Sequence, residues 1–426
     1  MNYLQRKKLA FMSIVNSVKG FVRTVLGIPP LTLPDCVDNN SIINYSIDGN
    51  SVQDGTPTPE APVEVESVGE YDESTGKYKI SVVCSGKNMF DKEAFCDYYN
   101  SFGTLKANEN DNYLGEDCFS YYLCQPSATS EEFEWLTGKF KENTSYVFSG
   151  YASMKWANVE SQYVTYLFLR YTDGTNAYVN ATLYTDRFTK IKFVTNSTKT
   201  IKCISMVNYS AGVPIYMKDF QIEEGTTETE YEPYVESVTT NIYLDEPLRK
   251  VSTYADTVDF KKRIVNRAIK EKIFTGDATE WWNVWTASAT ENTVGVYYRN
   301  NEELGTYTDQ KIVTVVGCSN YFKTTAYSLA TQDDSKVGQC CISGTSNPPY
   351  IAFKVPFTSK EAWLEWLNGK YIGNEPLKVY WVCKETTETP ITLPKLPTIK
   401  GTTIYSIDTA IQPSNMEVTY YSTSKE

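Results

Sequence analysis

Residues 146–151 (YVFSGY), 162–171 (QYVTYLFLRY), 188–195 (FTKIKFVT) and 214–222 (PIYMKDFQI) carry the reading of the fold. Each is a short run dense in Tyr, Phe, Val, Ile and Thr, residues that suit a pleated, half-covered surface. Further strands are expected at 178–184 and 199–207, and Asp173-Gly174 supplies a turn between two of the runs. Short strands at this spacing predict one β-sandwich over 84–235. One helix interrupts it in this reading: Thr129 and Glu132 form a capping-box pair, Phe133 to Leu136 the body and Gly138 the stop.

Upstream, residues 31–83 alternate at Ile43, Tyr45 and Ile47 and again over Tyr78-Ile80-Val82, with Asp48-Gly49-Asn50 and a proline-dense run between. Proline cannot sit in a central strand, so the segment reads as a β-hairpin platform with ordered loops. Residues 1–30 differ. Leu4, Phe11, Val15, Val18, Val22 and Val25 fall at spacings of seven, four, three, four and three, a heptad-like stripe ended by Gly27 and Pro29-Pro30. An amphipathic helix must bury such a seam, and a homotrimeric bundle or a groove on a neighbouring protein would serve, so the segment is expected to dock or oligomerise.

Downstream, 225–240 (GTTETEYEPYVESVTT) reads as a linker or an edge strand. A second β-sandwich is expected over 236–389, with strands at 294–298, 312–317, 351–355 and 378–383. It holds a helix from Ser359 to Asn368, capped by Thr358 and Glu361 and stopped by Gly369. Residues 390–426 form a C-terminal β segment expected to pair with the N-terminal platform. Two echoes bear on this. Glu134-Trp135-Leu136-Thr137-Gly138-Lys139 resembles Glu365-Trp366-Leu367-Asn368-Gly369-Lys370, and LTLP at 31–34 with YSID at 45–48 returns as ITLP at 391–394 with YSID at 405–408. The fold class is therefore mainly β: an N-terminal amphipathic helix, then two β-sandwiches with short capped helices.

Composition narrows the chemistry. There are no histidines among the 426 residues, which removes Ser-His-Asp and Cys-His catalysis, H-E-x-x-H zinc sites and imidazole acid–base steps. The ten cysteines show no C-x-x-C pair, so they read as small apolar core residues in a reducing compartment, with no metal and no cofactor expected. A net charge of −12 disfavours nucleic acid and anionic lipid. No run approaches the roughly 20 apolar residues of a membrane span. The N-terminus opens like a signal peptide, but Asn16, Lys19 and Arg23 interrupt its core, so a chain made and folded in a bacterial cytoplasm is expected.

Neither a phosphate-binding loop nor a nucleophile elbow is present. Asn208-Tyr209-Ser210-Ala211-Gly212 lacks the first glycine of the latter. Glycosidic cleavage needs only two carboxylates and survives the absence of His, yet with 52 acidic residues no pair stands out. Calcium at Asp173, Asp219, Glu223 or Glu224 lacks any recognised loop spacing, and a solvated surface is the default. Aromatic clusters are the better lead, because sugar rings stack on Trp and Tyr while Asn, Asp and Thr take the hydroxyls. Two candidate glycan sites follow: Trp281, Trp282 and Trp285 with Tyr297 and Tyr298, and Trp156 with Tyr163 and Tyr166. Sheet packing is the ordinary role of such tyrosines, and Trp135, Trp363 and Trp366 at helical spacing read as core.

The run Asn50-Ser51-Val52-Gln53-Asp54-Gly55-Thr56-Pro57-Thr58-Pro59, continuing through Pro62-Val63-Glu64-Val65 to Ser67-Val68-Gly69, resembles minor structural (tail or baseplate) proteins of phages and prophages of Firmicutes. So do Thr240-Asn241-Ile242-Tyr243-Leu244-Asp245-Glu246-Pro247-Leu248-Arg249-Lys250 and Ile411-Gln412-Pro413-Ser414-Asn415-Met416-Glu417-Val418. Residues 84–235 resemble the jelly-roll carbohydrate-binding modules of such tails, through Tyr146 to Tyr151, Leu167 to Gly174 and Asp219 to Gly225. The resemblance implies a non-enzymatic virion component, homotrimeric and assembled in the host cytoplasm. Other tail or baseplate proteins are its expected partners and host cell-wall glycan its expected ligand. A tail-borne polysaccharide depolymerase and a cell-surface glycan adhesin are the alternatives.

Overall fold

The computed structural model describes residues 42–102, 105–123, 134–205, 212–280, 282–285, 293–299, 317–325, 329, 334–343, 350–399 and 401–421. The stripe Leu4, Phe11, Val15, Val18, Val22 and Val25 lies outside them. The protein is mainly β, and it forms two compact units, each assembled from segments distant in sequence. The first takes 83–239 and 396–405; the second takes 40–82, 240–395 and 406–426.

In the first unit five antiparallel strands lie in the order Thr189–Val194, Tyr146–Met154, Ile215–Glu224, Glu116–Leu123, Leu105–Tyr113. A three-stranded sheet follows the order Asn176–Tyr184, Ser161–Tyr171, Ile201–Ser205. Alternate residues of both enter one core, including Phe148, Met154, Leu167, Leu169, Ile204 and Met217. Six of these strands lie where the sequence places them, because their β-branched and aromatic residues favour extended backbone.

Three features of this unit differ from expectation. Residues 129–133 lie outside the described residues, and the expected helix body does not extend through Trp135. That residue exchanges two backbone bonds with Ile204, each 2.9 Å, and a turn follows with Leu136 at φ 56° and Gly138 at φ 71°. An open sheet edge offered ladder bonds and cover for the indole that a one-turn helix could not match. A helix stands instead at Lys92–Asn100, where Asp91 accepts from the Ala94 N–H at 3.0 Å and Phe95, Cys96 and Tyr99 are buried. The segment 225–240 is irregular until a strand begins at Val238, and buried polar bonds hold it. Glu223 accepts from the Thr229 N–H and hydroxyl, and Glu232 pairs with the buried Lys87 at 3.0 Å.

The second unit carries a six-stranded sheet in the order Gly317–Ser319, Leu377–Pro390, Ile264–Phe274, Thr257–Asp259, Ile42–Asp48, Asn415–Tyr421. The C-terminal strand pairs antiparallel with the first described one, from Ile42 opposite Tyr421 to Asp48 opposite Asn415. The YSID echo does not mark this partnership: its second copy lies in Ile404–Asp408, a strand of a different sheet. A five-stranded sheet runs Trp282–Trp285, Val294–Arg299, Tyr350–Val355, Gln339–Ser343, Lys323–Thr324, the last pair parallel. The helix of this unit spans Lys360–Ile372, longer than expected. Ser359 rather than Thr358 caps it, accepting from the Ala362 N–H, and Gly373 rather than Gly369 ends it.

Eight cysteines are described, all with free thiols, and six are buried. Cys340 and Cys341, being neighbours in a strand, enter different apolar clusters. Burial pushes the Cys84 thiol up to about 11 and Cys96 to about 12. Since the thiolate is the reactive form, the six buried cysteines are expected to stay unlabelled by a maleimide at pH 7 in the folded protein and to label after denaturation. Peptide mass spectrometry checks this, and native-state labelling at Cys96 or Cys340 would contradict the burial described.

Candidate functional site

Neither aromatic cluster singled out in the sequence forms one face. Trp282 and Tyr298 face each other across adjacent strands and are 3% and 2% exposed, in a core where Trp282 also meets Trp363 edge-on. Tyr297, one residue on, falls on the opposite side, half-buried beneath the Arg299 guanidinium at 4.7 Å. Trp281 lies outside the described residues, and Trp285 is placed only as a strand residue opposite Gly295. In the other cluster Tyr166 is 1% exposed and belongs to the core, Trp156 packs half-buried against it, and Tyr163 is 66% exposed. Tyr166, Trp282 and Tyr298 are therefore core rings rather than ligand contacts. The alternation that makes a strand sends consecutive aromatics to opposite faces.

A different set converges on the outer face of the five-stranded sheet. Tyr121 and Phe119 point into the core, so Cys118, Ser120 and Tyr122 point outward. Register then builds rungs. Lys106 stands opposite Tyr122, Asn108 opposite Ser120, and Ser120 opposite Tyr216 on the next strand. These residues, with Asn100, Asp111 and Pro214, line a groove of about 490 Å³. A bulge between Asn108 and Asp111 keeps Asp111 on the same face, where its carboxylate accepts from the Ser120 hydroxyl at 2.6 Å. Tyr113 backs the groove, its ring stacked on that of Tyr216 at 4.0 Å and 7°. Its hydroxyl donates to the Met154 and Thr185 carbonyls.

Burial first, and then the Asp111 charge, push the Tyr216 phenol up to about 12, and the same two causes raise the Cys118 thiol to about 11. Both stay protonated near neutrality and serve as neutral groups. Among the described residues Asp111 is the one carboxylate lining the groove. The arrangement can hold a polar ring against aromatic carbon and hydrogen-bond its substituents. Sequence reading passed over these positions because LKANENDNY at 105–113 is rich in residues depleted from strands. The available signal was Leu114-Gly115, both at positive φ in the structure, a two-residue hairpin turn between segments carrying Tyr113 and Tyr122.

The second unit has its own cavity, of about 660 Å³, whose walls include Glu70, Tyr78, Arg249, Glu271, Lys378 and Tyr380. Its charges are largely spoken for: buried Arg249 binds Glu246 at 2.6 Å and also Glu271, and Lys378 binds Glu64 at 2.9 Å. Among the described residues no group of three Cys, Asp or Glu side chains is placed to hold a metal ion, and no helix is long and apolar enough to cross a membrane.

No protein-family model matches this chain, and no curated protein matches it. Among solved structures it is similar to the N-terminal CBM22-1-CBM22-2 tandem domain of Xyn10C from Paenibacillus barcinonensis, at 11% identity over 74% of this chain and 91% of that one. The TM-score is 0.23, at which the likeness carries no argument about fold or ligand.

Proposed function

We propose that this chain is a non-enzymatic structural protein that holds a glycan in the groove on the outer sheet face of its first unit. The observation that carries the reading is the convergence from three strands of Lys106 and Asn108, which are exposed, Tyr122, half-buried, and Ser120 and Tyr216, largely covered, on one outer sheet face beside Asp111, the one carboxylate among the described lining residues. Aromatic carbon offers a sugar ring its apolar face, and the surrounding polar groups orient it. Within this reading the protein is a phage tail or baseplate component that presents its β units to host cell-wall glycan. It docks to other tail proteins, as a homotrimer, through residues 1–30. The likeness of 50–69, 240–250 and 411–418 to such proteins supports that placement.

Tyr122→Ala is expected to weaken glycan binding about tenfold, measured by calorimetry on the full chain with a ligand selected from a glycan array. Unchanged affinity would remove the groove from consideration. The same ligand incubated with wild-type protein is expected to yield no new reducing ends, and their appearance would favour the depolymerase alternative. Immunogold labelling of purified particles addresses the tail, and particles free of the protein would exclude it.

A further inference from the structure

We infer that residues 226–234 form a strap over the outer sheet face of the first unit that acid releases, its latch the buried Lys87–Glu232 ion pair. Gln221 and Glu223 alternate with the core residues Phe220 and Ile222, so they point outward. The segment bound to them lies on the face that carries Tyr216, further along the same strand. From Thr226 to Tyr234 no backbone–backbone hydrogen bond occurs among the described residues. Side chains hold the segment instead. Glu223 accepts from the Thr229 N–H and hydroxyl at 2.9 and 2.6 Å. Gln221 donates to the Thr229 carbonyl and accepts from the Glu232 N–H, at 3.2 Å each. Asn88 donates to the Glu232 carbonyl at 2.9 Å, and Lys87 donates to the Glu230 carbonyl. With no ladder of its own, the strap can open without unfolding the sheet.

Release turns on Lys87. Its side chain is 7% exposed, and its ammonium lies 3.0 Å from Glu232 and 2.6 Å from the Thr229 hydroxyl. The Glu232 carboxylate also accepts from the Thr402 N–H and hydroxyl, at 2.7 Å each. Protonating Glu232 leaves a buried cation without its counter-charge, and lifting the strap hydrates that cation. Burial pushes the Glu232 carboxyl up, but the Thr402 bonds and Lys87 outweigh it and hold the group below the usual glutamate range. The latch is therefore complete above that range and is lost as pH falls through the depressed value. The other charges on the strap lie apart from it. Glu228 pairs with Lys190 at 2.8 Å and reaches Lys192 at 3.9 Å on the strand Thr189–Val194, and Glu230 is exposed. Burial and then Asp219 raise the Tyr231 phenol, while burial, Asp91 and Glu236 raise Tyr234, so both stay protonated.

Hydrogen exchange on the full chain tests this, read by mass spectrometry on peptides from 226–234 and corrected for the pH dependence of intrinsic exchange. Protection of the strap is expected to fall about tenfold or more between about pH 7 and about pH 3.5, while peptides from Tyr146–Met154 and Ser161–Tyr171 keep theirs. At neutral pH Glu232→Gln removes the counter-charge without acid and is expected to loosen the strap by a similar factor. Adding Lys87→Met removes the buried cation as well and is expected to restore protection, a rescue that loss of a merely structural bond would not give. Equal strap protection at both pH values, loss of strap and core strands together, wild-type protection in Glu232→Gln, or no rescue by Lys87→Met would each overturn the inference. Saccharide binding enters none of these readouts, so the strap stands or falls apart from the groove.

Discussion

Asp256→Ala should lower the stability of the second unit by about 3–5 kcal/mol, the usual cost of removing one partner from a buried charged network. Asp256 is 0% exposed and lies just before the strand Thr257–Asp259. One carboxylate oxygen accepts from the Ala268 and Ile269 N–H groups, at 2.8 and 3.0 Å. The other accepts from the Arg249 N–H at 3.1 Å and the Arg267 guanidinium at 3.0 Å. Removing it strands three backbone donors and one partly buried cation, each of which loses a partner it cannot replace with water at no cost. The local chain depends on the same point. Gly49 approaches Arg249 so closely that a Cβ there would lie 2.4 Å from the Arg249 carbonyl oxygen. Asp256→Asn keeps one acceptor oxygen and should cost less. Urea unfolding of the full chain reads the difference, and a wild-type midpoint for Asp256→Ala would show that the network is dispensable.

Trp363→Ala should have a comparable effect, about 3–5 kcal/mol, from lost burial and the cavity left behind. Trp363 is wholly buried on the helix Lys360–Ile372 and stacks on Trp366 at 5.3 Å and 14°. Trp282 meets it edge-on at 5.3 Å, and Phe353, Phe322 and Phe357 surround it at 5.5 to 5.9 Å. One substitution therefore opens a void shared by the helix and the five-stranded sheet. Trp363→Phe keeps an aromatic ring there and should lose less. A loss below about 1 kcal/mol for the alanine variant, by urea or thermal melting, would mean that the site collapses onto itself or is less tightly packed than described.

How far the sequence could be read depended on which interactions wrote each element. The strands Ser161–Tyr171 and Ile215–Glu224 were legible because their own residues favour extended backbone. The hairpin of Leu105–Tyr113 and Glu116–Leu123 was not, because its first strand is held by pairing with the second, which in turn pairs with Ile215–Met217, about a hundred residues away. The two Glu-Trp-Leu echoes show the same division. Nearly identical words form a β-bridge and turn at Trp135 but a helix at Trp366, because the first lies at an open sheet edge and the second within a capped, thirteen-residue helix.

Composition and short-range pattern determined that this protein is mainly β, that its cysteines are suited to the core, where six of the eight described ones lie, and that imidazole chemistry is closed to it. Period-two alternation also gave every strand two faces. It could not say which face would be covered, nor which distant strand would lie alongside, since burial and register are properties of partners and not of the segment. That is why Tyr166, Trp282 and Tyr298, conspicuous in the sequence, went to the core. Lys106, Asn108, Ser120, Tyr122 and Tyr216, inconspicuous in three separate segments, became neighbours only when the sheet closed.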